Sequence, residues 1–144
     1  MMLKETLTNP LIAIAGRVVE EKTEKIIVGA MVKIIKMPEV FQTKLSLKAL
    51  QYGERWDKLG ERIDRKMTAS DGYFYFVNLP PGDYVLETFL PTNATRYGKV
   101  KSKVKVSNPI EVKVFNPVDE IYDIDKKIPT TIIDDIILSP VEIN

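Results

Sequence analysis

The sequence predicts an all-β fold of antiparallel strands, and three stretches carry that expectation. Residues 71–91, DGYFYFVNLPPGDYVLETFLP, read as strand, turn, strand. Asp71-Gly72 tolerates the positive φ of a tight turn, and Tyr73 to Val77 is an aromatic, β-branched run. Pro80-Pro81-Gly82-Asp83 must interrupt that run, because a proline donates no ladder hydrogen bond. Tyr84 to Leu90 then resumes as a second strand, and the two strands are expected to pair as a hairpin. Residues 99–106, KVKSKVKV, alternate lysine with valine or serine, the pattern of a half-buried antiparallel strand. Residues 11–20 and 25–35 are rich in isoleucine and valine, and Gly29 marks a bulge or a close backbone approach in the second.

Taken in order, residues 1–10 form a polar, flexible lead-in that ends at Asn9-Pro10. A strand over 11–20, a charged turn at 21–24 and a strand over 25–35 follow. Residues 36–62 leave the strand period. Phe41, Leu45, Tyr52, Trp56, Leu59 and Ile63 recur at threes and fours, with charges elsewhere, which predicts a helical insertion over 43–58. Gly53 weakens that helix by about 1 kcal/mol relative to alanine. A structureless loop of this length is uncommon inside a compact domain. Residues 63–68 return as a strand, 92–95 form a loop, and 110–115 are expected to be the last strand of the domain. Residues 116–144 carry seven acidic residues and two lysines, a net of −5 against +6 for the remainder. Within them Ile128, Ile132, Ile133, Ile136, Ile137 and Leu138 are too apolar for a solvated tail. Residues 117–144 are therefore expected to be an extended docking arm.

Composition removes several function classes. A chain of 144 residues suits one domain with a real core. It has no cysteine and no histidine, so disulfides, thiolate chemistry, imidazole metal ligands and a Ser-His-Asp triad are excluded. A formal charge of +1 argues against a nucleic-acid binder driven by bulk electrostatics. No apolar run is long enough for a membrane-spanning helix. The first residues lack the pattern of a secretory signal, so the chain, read as complete, is expected to be cytoplasmic.

The segment Asp71, Gly72, Phe74, Phe76, Leu79, Pro80, Pro81, Gly82, Tyr84 resembles the Asp-Gly-x-Phe-x-Phe…Leu-Pro-Pro-Gly-x-Tyr signature of carboxypeptidase regulatory-like domains. Those domains stand with the Cna-B-like repeats in a wider transthyretin-like group of β-sandwiches. Gly16-Arg17-Val18 and Val28-Gly29-Ala30-Met31-Val32 add weaker matches, and the resemblance spans residues 11–116. It implies a single antiparallel β-sandwich of about seven strands, with the 36–62 insertion and the C-terminal arm as additions. It says little about function, since such a fold hosts many roles. Some Cna-B-like domains form an internal Lys–Asn isopeptide bond. Here Leu86 to Pro91 resembles the acid segment and Val114-Phe115-Asn116 the acceptor, but the first strand offers Arg17 where a lysine nucleophile is needed. Hydrolases of the transthyretin-like group depend on histidines that this chain lacks.

The expected core is Ile14, Val18, Val32, Ile34, Phe74, Phe76, Leu79, Tyr84, Leu86, Val104 and Val112. Tyr73 and Tyr75 then share the outer sheet face, where with Trp56 they form a platform that could stack on a sugar ring. The plainer reading has the insertion helix covering the two tyrosines, with Tyr52 and Trp56 as packing anchors. Lys99, Lys101, Lys103 and Lys105 read as protection of a sheet edge. Asp119, Glu120, Asp123 and Asp125 lack the glycine turn and spacing of a calcium loop. No catalytic, cofactor or metal residue is assigned. The expectation is a non-enzymatic structural or adaptor protein that binds protein partners, or itself, through its arm and sheet edges. Such a role would suit part of a large assembly such as a phage-tail-like particle. The alternative is a carbohydrate-binding module; neither nucleic acid nor membrane is expected as a partner.

Overall fold

A computed structural model describes residues 11–91, 97–118, 120–127 and 129–140. Two four-stranded sheets pack face to face, as the sequence predicts for a sandwich. In the first, β1 (Ile12–Glu20) is central. It pairs antiparallel with β4 (Tyr73–Val77) on one side. On the other it pairs parallel with β9 (Thr131–Ile132) and β10 (Ile136–Leu138). The second sheet has the order β3 (Arg65–Met67), β2 (Met31–Lys36), β5 (Gly82–Phe89), β6 (Val100–Val106), antiparallel throughout. Two further strands, β7 (Ile110–Asn116) and β8 (Ile121–Lys127), form a separate antiparallel ribbon.

Three expectations are corrected by this topology. Residues 71–91 do not form a hairpin: β4 pairs with β1 in the first sheet and β5 with β2 and β6 in the second, so the proline turn carries the chain from one sheet to the other. Residues 110–115 are not the last strand of the sandwich; they pair with β8, which Glu120, at φ 54°, immediately precedes. Closing a hairpin so local costs less chain entropy than pairing with a distant edge. The sandwich also does not end near residue 116, because the arm supplies β9 and β10. The β-branched density of residues 131–138 does produce strands, and their parallel run along β1 places Ile136 beside Val18 and Leu138 beside Glu20.

Inward positions fill one core. Ten of the expected core residues are buried, while Val112 lies outside the residues whose side chains are described. The arm adds Ile136 and Leu138, the insertion adds Phe41, and Ala30 and Val106 complete the layer. Gly16 is what lets the arm approach. A Cβ there would lie 2.6 Å from the Phe74 ring and 2.8 Å from Ile133 Cγ1. The arm also reaches the second sheet. The Gly98 amide donates to Ser139 O at 3.1 Å, and Thr131 Oγ1 donates to Lys105 O at 3.1 Å.

The insertion holds a helix, α1 (Glu39–Tyr52), followed by a 3-10 segment, Gly53–Lys58. It starts earlier than the expected residue 43 because Pro38 provides the first carbonyl, accepting from the Phe41 and Gln42 amides. It ends earlier than 58 because Gly53, at φ 60°, turns the chain out of the helix. Its anchor is Phe41, edge-on to Tyr84 at 6.0 Å. Pro38 sits where a Cβ on Gly82 would be, 2.5 Å from its Cγ. The insertion thus seats on the Pro80–Asp83 turn, and Tyr73 and Tyr75 stay exposed.

Buried polar groups mostly find partners. The Thr68 hydroxyl donates to Ile27 O at 2.6 Å and accepts from the Ala30 amide at 2.9 Å. Buried Asp64 receives a two-point contact from Arg62 at 2.9 and 3.1 Å, and the Tyr84 hydroxyl donates to Pro80 O at 2.6 Å.

Two outcomes follow for stability. Replacing Leu138 with alanine should cost about 3 kcal/mol, as for a fully buried leucine, whereas Ile137→Ala, on the solvent side, should cost less than about 1 kcal/mol. Denaturant unfolding of both variants checks this, and equal effects would contradict the docking of the arm. Burial also pushes the Tyr84 hydroxyl up from 10.0 to about 12. The unfolded chain then loses that proton first, so the contribution is complete below pH 10 and fades as pH rises toward 12. Tyr84→Phe should flatten that part of the alkaline unfolding profile.

Candidate functional site

Strand alternation gives the β1 sheet a second, outward face. Pairing in register places Arg17 opposite Tyr73, Ala15 opposite Tyr75 and Ile12 opposite Val77. On the arm side, Ile132 stands opposite Ala15 and Ile137 opposite Val19. An open antiparallel face is ordinarily polar, yet here every outward residue of these pairs except Arg17 is apolar or aromatic. Ile132 is 79% exposed, Ile137 49%, Tyr75 44%, Ile12 38% and Tyr73 37%. Ile26 extends the face beyond Val19, and it lies against Gly72, which adopts φ 79°.

The tyrosine rings of Tyr73 and Tyr75 lie nearly parallel, with centroids 6.4 Å apart. The Arg17 guanidinium stands 5.9 Å from the Tyr73 ring and grips Asp135 with two hydrogen bonds, of 2.6 and 3.2 Å. The hydrogen bond to Asp135, and then its charge, raise the Arg17 pKa above the ordinary value. Each partner of this ion pair remains more than a third exposed. At one end the face drops into a hollow of about 280 Å³, where Glu20, Glu21, Glu24 and Asp135 surround Arg17. The arrangement is an apolar field with a neutralised ion pair inside it and an acidic rim at one end.

The sequence-derived candidates fall into three groups. Tyr73, Tyr75, Ile132 and Ile137 come together on this face. Ile136 and Leu138 are buried in the chain's own core, and Ile133 is half-buried against Gly16, so these three are not surface groups. Ile128 lies outside the described residues. Trp56 does not join the tyrosines. Its ring contacts Tyr52 at 5.9 Å and the Arg62 guanidinium at 4.4 Å, within the insertion. The three-aromatic platform therefore splits into a tyrosine pair and a tryptophan cluster.

Arg17, Asp135, Ile12 and Ala15 were missed as site residues. A signal was present: YFYFV in β4 and, apart from Arg17, IAIAGRVV in β1 lack the polar alternation of a half-exposed strand, the pattern of strands covered on both faces.

Among the described residues no cluster of acidic groups is arranged to hold a metal ion, and no helix is long and apolar enough to cross a membrane. Compared with family models, with curated proteins and with solved structures, the chain matches none.

Proposed function

We propose that the protein is a non-catalytic structural or adaptor protein that binds protein partners through the outer face of its β1 sheet. The observation that carries this reading is the exposed apolar face itself. Tyrosine, isoleucine and arginine at the centre, few charges, and carboxylates at the rim match the composition of an interface core with its rim. A contiguous apolar patch of this size matches the largest on an ordinary monomer, and such a patch is often functional. The arm takes a supporting part in this reading: docked in cis, it contributes Ile132 and Ile137 to the face.

A sugar is the weaker candidate for the tyrosine pair. Ring stacking would have to be joined by hydrogen bonds to hydroxyl groups; Ala15, Ile12 and Ile132 offer none, and the polar groups beside Tyr73, Arg17 and Asp135, are bonded to each other. The finer fold assignment goes with the same proposal. The Asp71–Tyr84 signature, with Tyr84 hydrogen-bonded across the Pro-Pro-Gly turn, supports a carboxypeptidase regulatory-like sandwich.

The test is retrieval of the tagged chain from cells that produce it, beside a Tyr75→Glu/Ile132→Glu variant. The expected result is that proteins held in near-stoichiometric amount by the wild type are lost from the variant, while both unfold at similar denaturant concentrations. Identical sets held by both chains would contradict the reading.

A further inference from the structure

We infer that the occupant of this face is a second copy of the chain, packed sheet to sheet about a two-fold axis; the inference rests on the reading of the face as a protein-docking surface.

Charge is the first reason. The face carries one cation and one anion side by side, Arg17 and Asp135, and the pair leaves no net charge at its centre to select a partner of opposite sign. In a two-fold interface, whatever residue i offers to j is returned by j to i. A surface with a neighbouring Arg and Asp meets that condition by itself, because each Arg17 can approach the other copy's Asp135 in an alternating square of charges. Both groups are exposed enough to be reached.

The opposite sheet supplies the second reason. Its outer face carries Lys33, Lys101, Lys103 and Lys105, set across the strands from Glu87, Val85 and Asp83. That face is a charged, solvated surface with more lysines than carboxylates and little apolar area to bury, so the β1 face offers more to a copy of itself.

Size sets the strength. β1 has nine residues, so the field is roughly 30 Å long and three strand tracks, about 14 Å, wide. That is an area of at most about 400 Å² per copy, half that of a standard stable interface and in the range of weak, transient contacts. The dimer should therefore dissociate on dilution, with a Kd in the micromolar to millimolar range.

Sedimentation of the full chain from about 10 µM to about 1 mM, a range bracketing such a Kd, tests this. The wild type should pass from the mass of one chain to that of two. Ile132→Glu should stay a monomer at every concentration, and Lys103→Glu, on the opposite sheet, should dimerise as the wild type does. Arg17→Asp and Asp135→Arg should each be monomeric alone and should form a mixed dimer when combined, an outcome that only reciprocal pairing gives. Circular dichroism on each variant shows that the fold is kept. A wild type that remains monomeric throughout overturns the second copy as occupant and leaves a different protein partner to the retrieval experiment. A dimer that persists in Ile132→Glu overturns both the occupant and the reading of the face.

Discussion

The sandwich depends on β1 having a strand on each side. With β4 alone beside it, β1 would present an open edge of nine residues and leave the core unclosed where Ile136 and Leu138 now insert. Full burial of two such side chains is worth about 3–6 kcal/mol, set against a typical domain stability of about 5–15 kcal/mol. The arm therefore decides whether the sandwich is stable. It also joins the layers, since the same segment is held to β1 by the Ile133 amide on Ala15 O and to the second sheet through Ser139 and Thr131. Covering the edge has a further effect, because an unpaired strand edge is a template for aggregation.

The same pairing that completes the core creates the candidate site. Parallel register puts residues 136 and 138 inward, and residue 137, between them, has to point out. β4 repeats the arrangement with Phe74 and Phe76 inside and Tyr73 and Tyr75 outside. Gly16 is the pivot on the inner side, where Phe74 and Ile133 meet over a position that has no room for a side chain. Its neighbour Arg17 is the pivot on the outer side, tying the tyrosine strand to the arm through Asp135. Core, arm and surface are thus coupled through two consecutive residues of one strand.

Much of this was legible in the chain. The two strands of the Asp71–Pro91 stretch, the alternating β6 strand and most of the core follow from turn chemistry and from a period of two, both local signals; that β4 and β5 belong to different sheets instead of pairing as a hairpin does not. What escaped were relations between distant segments. Nothing local in residues 110–115 distinguishes a sandwich strand from one arm of a ribbon. The parallel pairing of residues 131–138 with β1 joins positions more than a hundred apart in sequence. For the site, each outward residue was apolar in plain view, but the faces of β4 and of the arm could be recognised as one only through their shared neighbour, β1. The insertion misled for a related reason. Its helical period was read correctly in kind, but the surface it would cover was set by Pro38 against Gly82 and Phe41 against Tyr84, two contacts with no signature in the periodicity.

The claim that the arm is an integral strand of the sandwich is tested most directly by native-state amide hydrogen exchange on the whole chain. Three amides span the junction: Ile133 donating to Ala15 O, Glu21 donating to Leu138 O and Gly98 donating to Ser139 O. The account predicts that they exchange with the same opening free energy as the amide of buried Thr68, which bonds Ala30 O just beyond β3, at the edge of the second sheet. If the three exchange rapidly while Thr68 stays protected, the arm is a detachable tail, and both the closed sandwich and the face built on it are contradicted.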